Sequence, residues 1–191
     1  LLKGEGEKRY EGIYGYLTDS MLVSGALKLQ EFIYPIAEAE IVFKLSRPLD
    51  REISTSEGPD FVAELAPGIE VFDCRYGAID PFIDDAIADN ACAGAIAIGD
   101  WVSAKLLDPI NATIQIFEGG QLKESVSATN IAGNPWQALA NVSKRLIADG
   151  VILPEGSIIF SGSTTTGIAM KAGEYKVEIS GLGSVSFNAR D

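Results

Sequence analysis

Residues 37–45 read Ala37-Glu38-Ala39-Glu40-Ile41-Val42-Phe43-Lys44-Leu45. Ile, Val and Phe in succession favour an extended strand, and along a strand alternate side chains point to opposite faces. Glu38 and Glu40 therefore share one face, while Ala39, Ile41 and Phe43 share the other. Neighbouring carboxylates repel, and burying them without a counter-charge costs several kcal/mol or forces protonation. A divalent cation removes that conflict. A third carboxylate, Glu70, stands in a second apolar stretch, Pro67-Gly68-Ile69-Glu70-Val71-Phe72-Asp73. Three carboxylates without imidazole or thiolate partners suit a hard cation such as Mg²⁺ or Mn²⁺, because few protein ligands leave room for water and substrate oxygens. Spacing alone keeps a second reading open and favours it: three solvent-facing glutamates on a half-exposed sheet.

Outward from this strand, apolar or alternating runs bounded by Gly, Pro, Asn and Asp recur at 13–17, 69–72, 93–98, 112–117, 158–160, 175–179 and 185–187. Each reads as a strand. Glu118-Gly119-Gly120-Gln121 reads as a hairpin turn, since paired glycines tolerate the positive φ of tight hairpins, and Gly181 and Gly183 punctuate the last pair similarly. One clear helix covers 134–149: Asn134 is its N-cap, Pro135 its first residue, and Gly150 lies just past its end. Trp136, Leu139, Ala140, Val142, Leu146 and Ile147 form its apolar stripe. Shorter helices are expected over 60–65 and 81–88. With no repeat or linker, residues 1–191 read as one α+β domain built on β-rich mixed sheets.

Composition narrows the function. Of 191 residues, 47% are hydrophobic, enough for a sizeable core. Fifteen Lys and Arg against 27 Asp and Glu give a net charge of −12, which argues against nucleic acid and anionic membrane surfaces as partners. No run is long and apolar enough to cross a bilayer, and the first residues lack the layout of a signal peptide, so a soluble protein is expected. Two cysteines, Cys74 and Cys92, are too few for a disulfide framework and suit the cytoplasm. The sequence contains no histidine, which removes Ser-His-Asp triads, Cys-His dyads and imidazole metal sites together. Carboxylates, hydroxyls, lysine, backbone groups, water or a metal must carry any catalysis. The chain opens at Leu1 without a methionine, which leads us to expect a further N-terminal piece.

In collinear order the segments IYGYLTDSM, PIAEAEIVFKLSRPL, PGIEVFDCRY, IADNACAG, PEGSIIFSGSTT and GLGSVSF span nearly the whole chain. This order resembles the hydratase/decarboxylase branch of the fumarylacetoacetate hydrolase superfamily, whose members act late in the meta-cleavage catabolism of catechols. The resemblance implies a β-rich core and a Mg²⁺ or Mn²⁺ site with Glu38, Glu40 and Glu70 as ligands. It also implies a small 2-oxo acid substrate, bound to the cation through carboxylate and ketone oxygens and converted through a stabilised enolate. A 4-oxalocrotonate decarboxylase-like lyase is the first expectation. A 2-oxopent-4-enoate hydratase, an acylpyruvase-type carbon–carbon hydrolase and a non-catalytic metal- and ligand-binding homologue are the alternatives, and the missing histidine argues against the hydrolase. Relatives form oligomers, so self-association, or association with a paralogous pathway enzyme, is expected.

The resemblance extends to single residues. Asp19 matches an aspartate that relays protons or orients water; as a residue type before Ser20 it also fits a turn. Ser163 and Thr164 match the loop that holds the substrate carboxylate, against the plain reading of a Ser/Thr turn. Asn90 and Cys92 match a loop near the substrate in which relatives often carry Ser at the Cys92 position. Arg75 could offer a fork to a second substrate carboxylate or pair with Asp73 or Asp80. Relatives also carry a helical segment and a GxKxGLTS-like stretch, whose lysine takes part in acid–base chemistry, ahead of the part matching Ile13 onward. Lys3 and Lys8 do not occupy that motif. This chain is therefore expected either to lack an N-terminal helical segment or to have lost that lysine.

Overall fold

The structure, a computed structural model, describes residues 13–77 and 82–191. Its regular elements follow in the order β1 (Ala26–Lys28), β2 (Ile36–Leu45), α1 (Gly58–Phe61), β3 (Val62–Phe72), α2 (Ile83–Ala88), β4 (Ala93–Ile98), β5 (Val102–Ser103), β6 (Thr113–Glu118), β7 (Gln121–Ser127), α3 (Pro135–Ala148), β8 (Ile158–Phe160), β9 (Ile168–Ala169), β10 (Gly173–Ile179) and β11 (Gly183–Arg190). One sheet has the strand order β1-β11-β10-β6-β7. The other runs β4-β3-β2-β8, with β5 added to β3 and β9 to β2. β1 joins β11 in parallel, whereas β2 and β3 form a long antiparallel ladder. The expected α+β class with mixed sheets holds.

The β2–β3 ladder separates core from site. Odd-numbered residues of β2, from Ala37 to Leu45, are excluded from solvent together with Leu65, Ile69 and Val71 of β3. They belong to one apolar core with Ile114, Ile116, Tyr175, Val177 and Ile179 from the five-stranded sheet. Helix α3 joins the same core through Leu139 and Leu146, and its Trp136 ring lies 5.7 Å from that of Phe43. Asn134 Oδ1 accepts from the Trp136 N–H at 2.9 Å, giving the helix the cap its sequence promises, and Gly150 follows the last turn at φ 74°. The hairpin at 118–121 forms as read, with Gly119 and Gly120 both at positive φ.

Several elements differ from the sequence reading. Residues 13–17 form no strand; the Asn90 side chain instead accepts from the Tyr16 N–H at 2.7 Å and donates to the Tyr16 carbonyl at 2.8 Å, doing locally what a neighbouring strand would do. The helix expected over 60–65 stops at Phe61, because Val62 and Leu65 bury their side chains in the sheet and Glu64 pairs across the ladder with Lys44 at 2.7 Å. Strand β3 is consequently far longer than 69–72 and runs through Pro67 and Gly68. β5 pairs with residues 64 and 65 and β4 with residues 68 to 72, so the proline, which has no N–H to offer, falls between its two neighbours. The helix expected over 81–88 is present as Ile83–Ala88; Pro81 lies outside the described residues.

Gly68 stands opposite Glu40 in the ladder, and a Cβ there would meet Val42 Cγ2 at 2.5 Å and Phe160 Cε1 at 2.8 Å. Gly68→Ala should therefore destabilise the protein by about 1–3 kcal/mol through overpacking. Urea unfolding compared with wild type checks this, and an unchanged midpoint would contradict the close packing described.

Candidate metal centre

Antiparallel pairing brings Glu38 and Glu70 directly opposite one another, and Glu40 follows on the same face two residues along β2. One carboxylate oxygen from each of the three lies within 4.8 Å of the others. The site faces away from the core, since its residues are the even-numbered ones of the two strands. Glu40 is fully buried. Its Oε2 accepts from the Gly162 N–H at 2.8 Å, whereas its Oε1 is buried without any hydrogen-bond partner.

The charges of the triad are mutually unfavourable. Burial, and then the facing Glu70 charge, push the Glu38 carboxyl from its ordinary 4.5 up to about 8. Glu40 is raised well above its ordinary range by burial first and by the Glu70 and Glu38 charges after it, with the Gly162 N–H opposing. Burial also raises Glu70, against a lowering contact with Glu40. Three acceptors short of positive charge, one of them an orphaned buried oxygen, form a donor set suited to a hard divalent cation.

The wall of the site is a loop that stands in for a strand. β8 and β9 both pair with β2, but between them, at 161–167, regular pairing stops and only the Ser161 and Thr164 N–H groups still donate to β2, to the Ile41 and Ala39 carbonyls. Hydroxyls take over the missing bonds: Ser161 Oγ accepts from the Ile41 N–H, Thr165 Oγ1 accepts from the Ala39 N–H, and Thr164 Oγ1 donates to the Ala39 carbonyl at 2.9 Å. Gly167, at φ 78°, crosses beside Glu38, where a Cβ would lie 2.5 Å from Ile36 Cγ2 and 3.4 Å from Glu38 Oε1. Ser161, Gly162, Thr165 and Gly167 were not singled out from the sequence, although the density of Ser, Thr and Gly in Ser161-Gly162-Ser163-Thr164-Thr165-Thr166-Gly167 was the available signal.

The other predicted residues separate clearly. Thr164 is buried with its hydroxyl committed to β2, and the Ser163 hydroxyl donates to the Thr165 carbonyl, so neither side chain is left free for a ligand. Asn90 uses both ends of its amide on Tyr16. Arg75 pairs with neither Asp73 nor a second carboxylate in the site: its Nε donates to Asp89 Oδ1 at 2.7 Å, and its terminal nitrogens donate to the Ala93 and Asp89 carbonyls. Asp73 instead accepts the Ile33 and Tyr34 N–H groups, while Asp80 lies outside the described residues. Asp19 opens a short 3-10 turn that ends in Met21, and among the described residues its carboxylate makes no hydrogen bond. The next residue, Leu22, bridges to Ile96, the β4 partner of Glu70, so this turn sits on the β4 side of the triad.

No protein-family model matches the sequence. The chain is 30% identical over 179 residues to a 4-oxalocrotonate decarboxylase of Pseudomonas sp., covering 92% of this chain and 70% of that one. The chain belongs to the hydratase/decarboxylase branch of the fumarylacetoacetate hydrolase superfamily. Within that branch it is also 34% identical over 180 residues to a 2-hydroxyhexa-2,4-dienoate hydratase of Comamonas testosteroni, covering 91% of this chain and 68% of the relative. Among solved structures, the 4-oxalocrotonate decarboxylase of Pseudomonas putida G7 in complex with magnesium and adipate superposes with a TM-score of 0.87 at 25% identity, over 92% of this chain and 69% of that one.

This hydratase/decarboxylase chain has a second group of ligand-capable side chains, Cys74, Asp89 and Cys92, again within 4.8 Å of one another. Here the chemistry is that of packing. The two thiols form a small core with Ala86, Ile13 and Phe72, burial pushes the Cys92 thiol up, and Arg75 already neutralises Asp89. The turn that delivers Cys92 is strained, with Asn90, Ala91 and Cys92 all near φ 58°.

The raised Glu38 carboxyl fixes a sign. Its folded-state value lies above the unfolded one, so the stabilisation is complete below about 4.5 and is lost as pH rises through about 8. In EDTA, the unfolding free energy should fall between pH 5 and pH 8 by a few kcal/mol, and Glu38→Gln should flatten that fall. Urea unfolding at both pH values checks this; an identical slope in the variant would contradict it.

Proposed function

We propose that this protein is a divalent-metal-dependent lyase acting on a small 2-oxo acid, with Glu38, Glu40 and Glu70 holding the cation. The observation that carries the reading is Glu40, buried between two further carboxylates with one oxygen fixed by Gly162 and the other unsatisfied. Mg²⁺ is the expected ion, with Mn²⁺ as the alternative, in keeping with an all-carboxylate donor set. When bound, the cation supplies the positive charge that holds the carboxylate and ketone oxygens of a 2-oxo acid and stabilises the negative charge developing on them.

The protein's own groups have separable tasks. Gly162 fixes the rotamer of Glu40, so Oε1 is presented without reorganisation. The N–H groups of Ser163 and Gly167 make no hydrogen bond among the described residues, which leaves the loop backbone, and not its hydroxyls, to donate to a substrate carboxylate. Asp19, exposed and unpaired among the described residues, is the candidate to move protons at the substrate carbon next to the ketone. Decarboxylation of a 4-oxalocrotonate-like dicarboxylate is the first reading. The 34% identity to a dienoate hydratase favours water addition to a 2-hydroxydienoic acid as the second.

The deciding experiment follows CO₂ release from 2-oxohex-3-enedioate alongside hydration of 2-hydroxypenta-2,4-dienoate, with Mg²⁺ and with EDTA. Mg²⁺-dependent turnover of one of them is expected; turnover of neither, with Mg²⁺ and oxalate still bound, would leave a non-catalytic homologue. Glu40→Gln should abolish Mg²⁺ binding by calorimetry while circular dichroism stays unchanged, and retained affinity would refute the ligand assignment. Because the ligands must shed protons, Mg²⁺ affinity should tighten from pH 6 to pH 8. Asp19→Asn should lower kcat by roughly 10²-fold or more without altering Mg²⁺ affinity; wild-type turnover in that variant would remove Asp19 from the chemistry.

A further inference from the structure

The site loop runs between two strands that both pair with β2, and the other sheet holds it at one further point. Its first half is stitched to β2 through Ser161, Gly162, Thr164 and Thr165. Its second half reaches the other sheet: Thr166 donates both its N–H and its hydroxyl to a single carboxylate oxygen, Glu124 Oε2, each at 3.0 Å. Glu124 lies on β7, an edge strand of the five-stranded sheet, opposite Ile116 of β6. Thr166 immediately precedes Gly167, the residue beside Glu38. Among the described residues, this is the side-chain connection between the five-stranded sheet and the loop at 161–167.

We infer that Glu124 is a positioning residue for ligand binding: it clamps Thr166 and so sets where the Thr166–Gly167 end of the loop stands over the glutamate triad. Three features support this role over a purely structural one. The carboxylate accepts two donors from one residue at once, which fixes a direction as well as a distance, and both bonds are assisted by its charge. It acts at Thr166, between the hydroxyl stitches of Ser161 to Thr165 and the point where β9 rejoins β2 at Ile168, and the adjoining Gly167, at φ 78°, has no side chain to add a hold of its own. Its bonds go to Thr166 and to neither Glu40 nor the Gly162 N–H, so the bond that fixes the buried ligand Glu40 does not depend on it. The inference rests on the proposed function, because it takes the loop as the wall against which a 2-oxo acid binds.

The test uses oxalate, a small dianion with the paired oxygens of a 2-oxo acid, titrated calorimetrically into protein loaded with Mg²⁺. Glu124→Ala should weaken oxalate binding about tenfold, a discounted value for charge-assisted bonds at a half-buried position, and leave Mg²⁺ affinity unchanged. Glu124→Gln, whose amide oxygen can still accept both Thr166 donors, should restore most of the loss. In turnover, the alanine variant should raise KM and alter kcat little. Oxalate affinity in Glu124→Ala equal to wild type would overturn the inference, as would a matching loss of Mg²⁺ affinity or a failure of Gln to rescue. Failure of wild-type protein to bind Mg²⁺ and oxalate would instead sink the proposed function itself, which keeps the two outcomes apart.

Discussion

The rest of the site depends on one unfavourable interaction, the confinement of three carboxylates on a single face of a two-strand ladder. Left alone, such groups would separate into water or take up protons. They stay together because the odd-numbered residues between them, Ala37, Ala39 and Ile41 on β2 and Ile69 and Val71 on β3, lie wholly inside the core. Apolar burial on one face thus supplies the stability that charge confinement consumes on the other, at about 25 cal/mol per Å² of apolar surface removed from water. The raised carboxyls of Glu38, Glu40 and Glu70 are the visible sign of that imposed arrangement.

The loop at 161–167 resolves a second conflict. A continuous strand beside β2 would satisfy its backbone but close the flank of the triad. Hydroxyl side chains satisfy the same backbone groups while letting the main chain arch away, which frees Gly162 for Glu40 and brings Gly167 against Glu38. Ser163 and Thr164 therefore serve the site through where they put the backbone, and their hydroxyls are spent internally.

How much of this the sequence revealed follows from how local each signal is. The Glu-x-Glu pair, the capped helix at 134–149 and the hairpin at Gly119-Gly120 rest on neighbours within one element, and all three were readable there. The meeting of Glu70 with Glu38 depends on register between strands about thirty residues apart, which spacing does not encode and only the family resemblance supplied. Strand β3 was cut short in the reading because Pro67 and Gly68 normally interrupt strands; their tolerance depends on β4 and β5 dividing at that point. Arg75 was read as a fork for a substrate carboxylate or a partner of Asp73 or Asp80; its actual partner, Asp89, arrives from the end of α2, a pairing that spacing along the chain does not encode. Glu124 was invisible, being one glutamate among many until the fold sets it, half-buried, beside Thr166.

The alternation along β2 also bears on how the chain finds its structure. A slip of one residue against β3 would turn Glu38 and Glu40 into the core and put Ile41 and Phe43 into water. Such a misaligned hairpin would carry two uncompensated charges in an apolar interior and could not persist. The same glutamates that strain the finished molecule therefore also mark its register, because they penalise the pairing slipped by one residue.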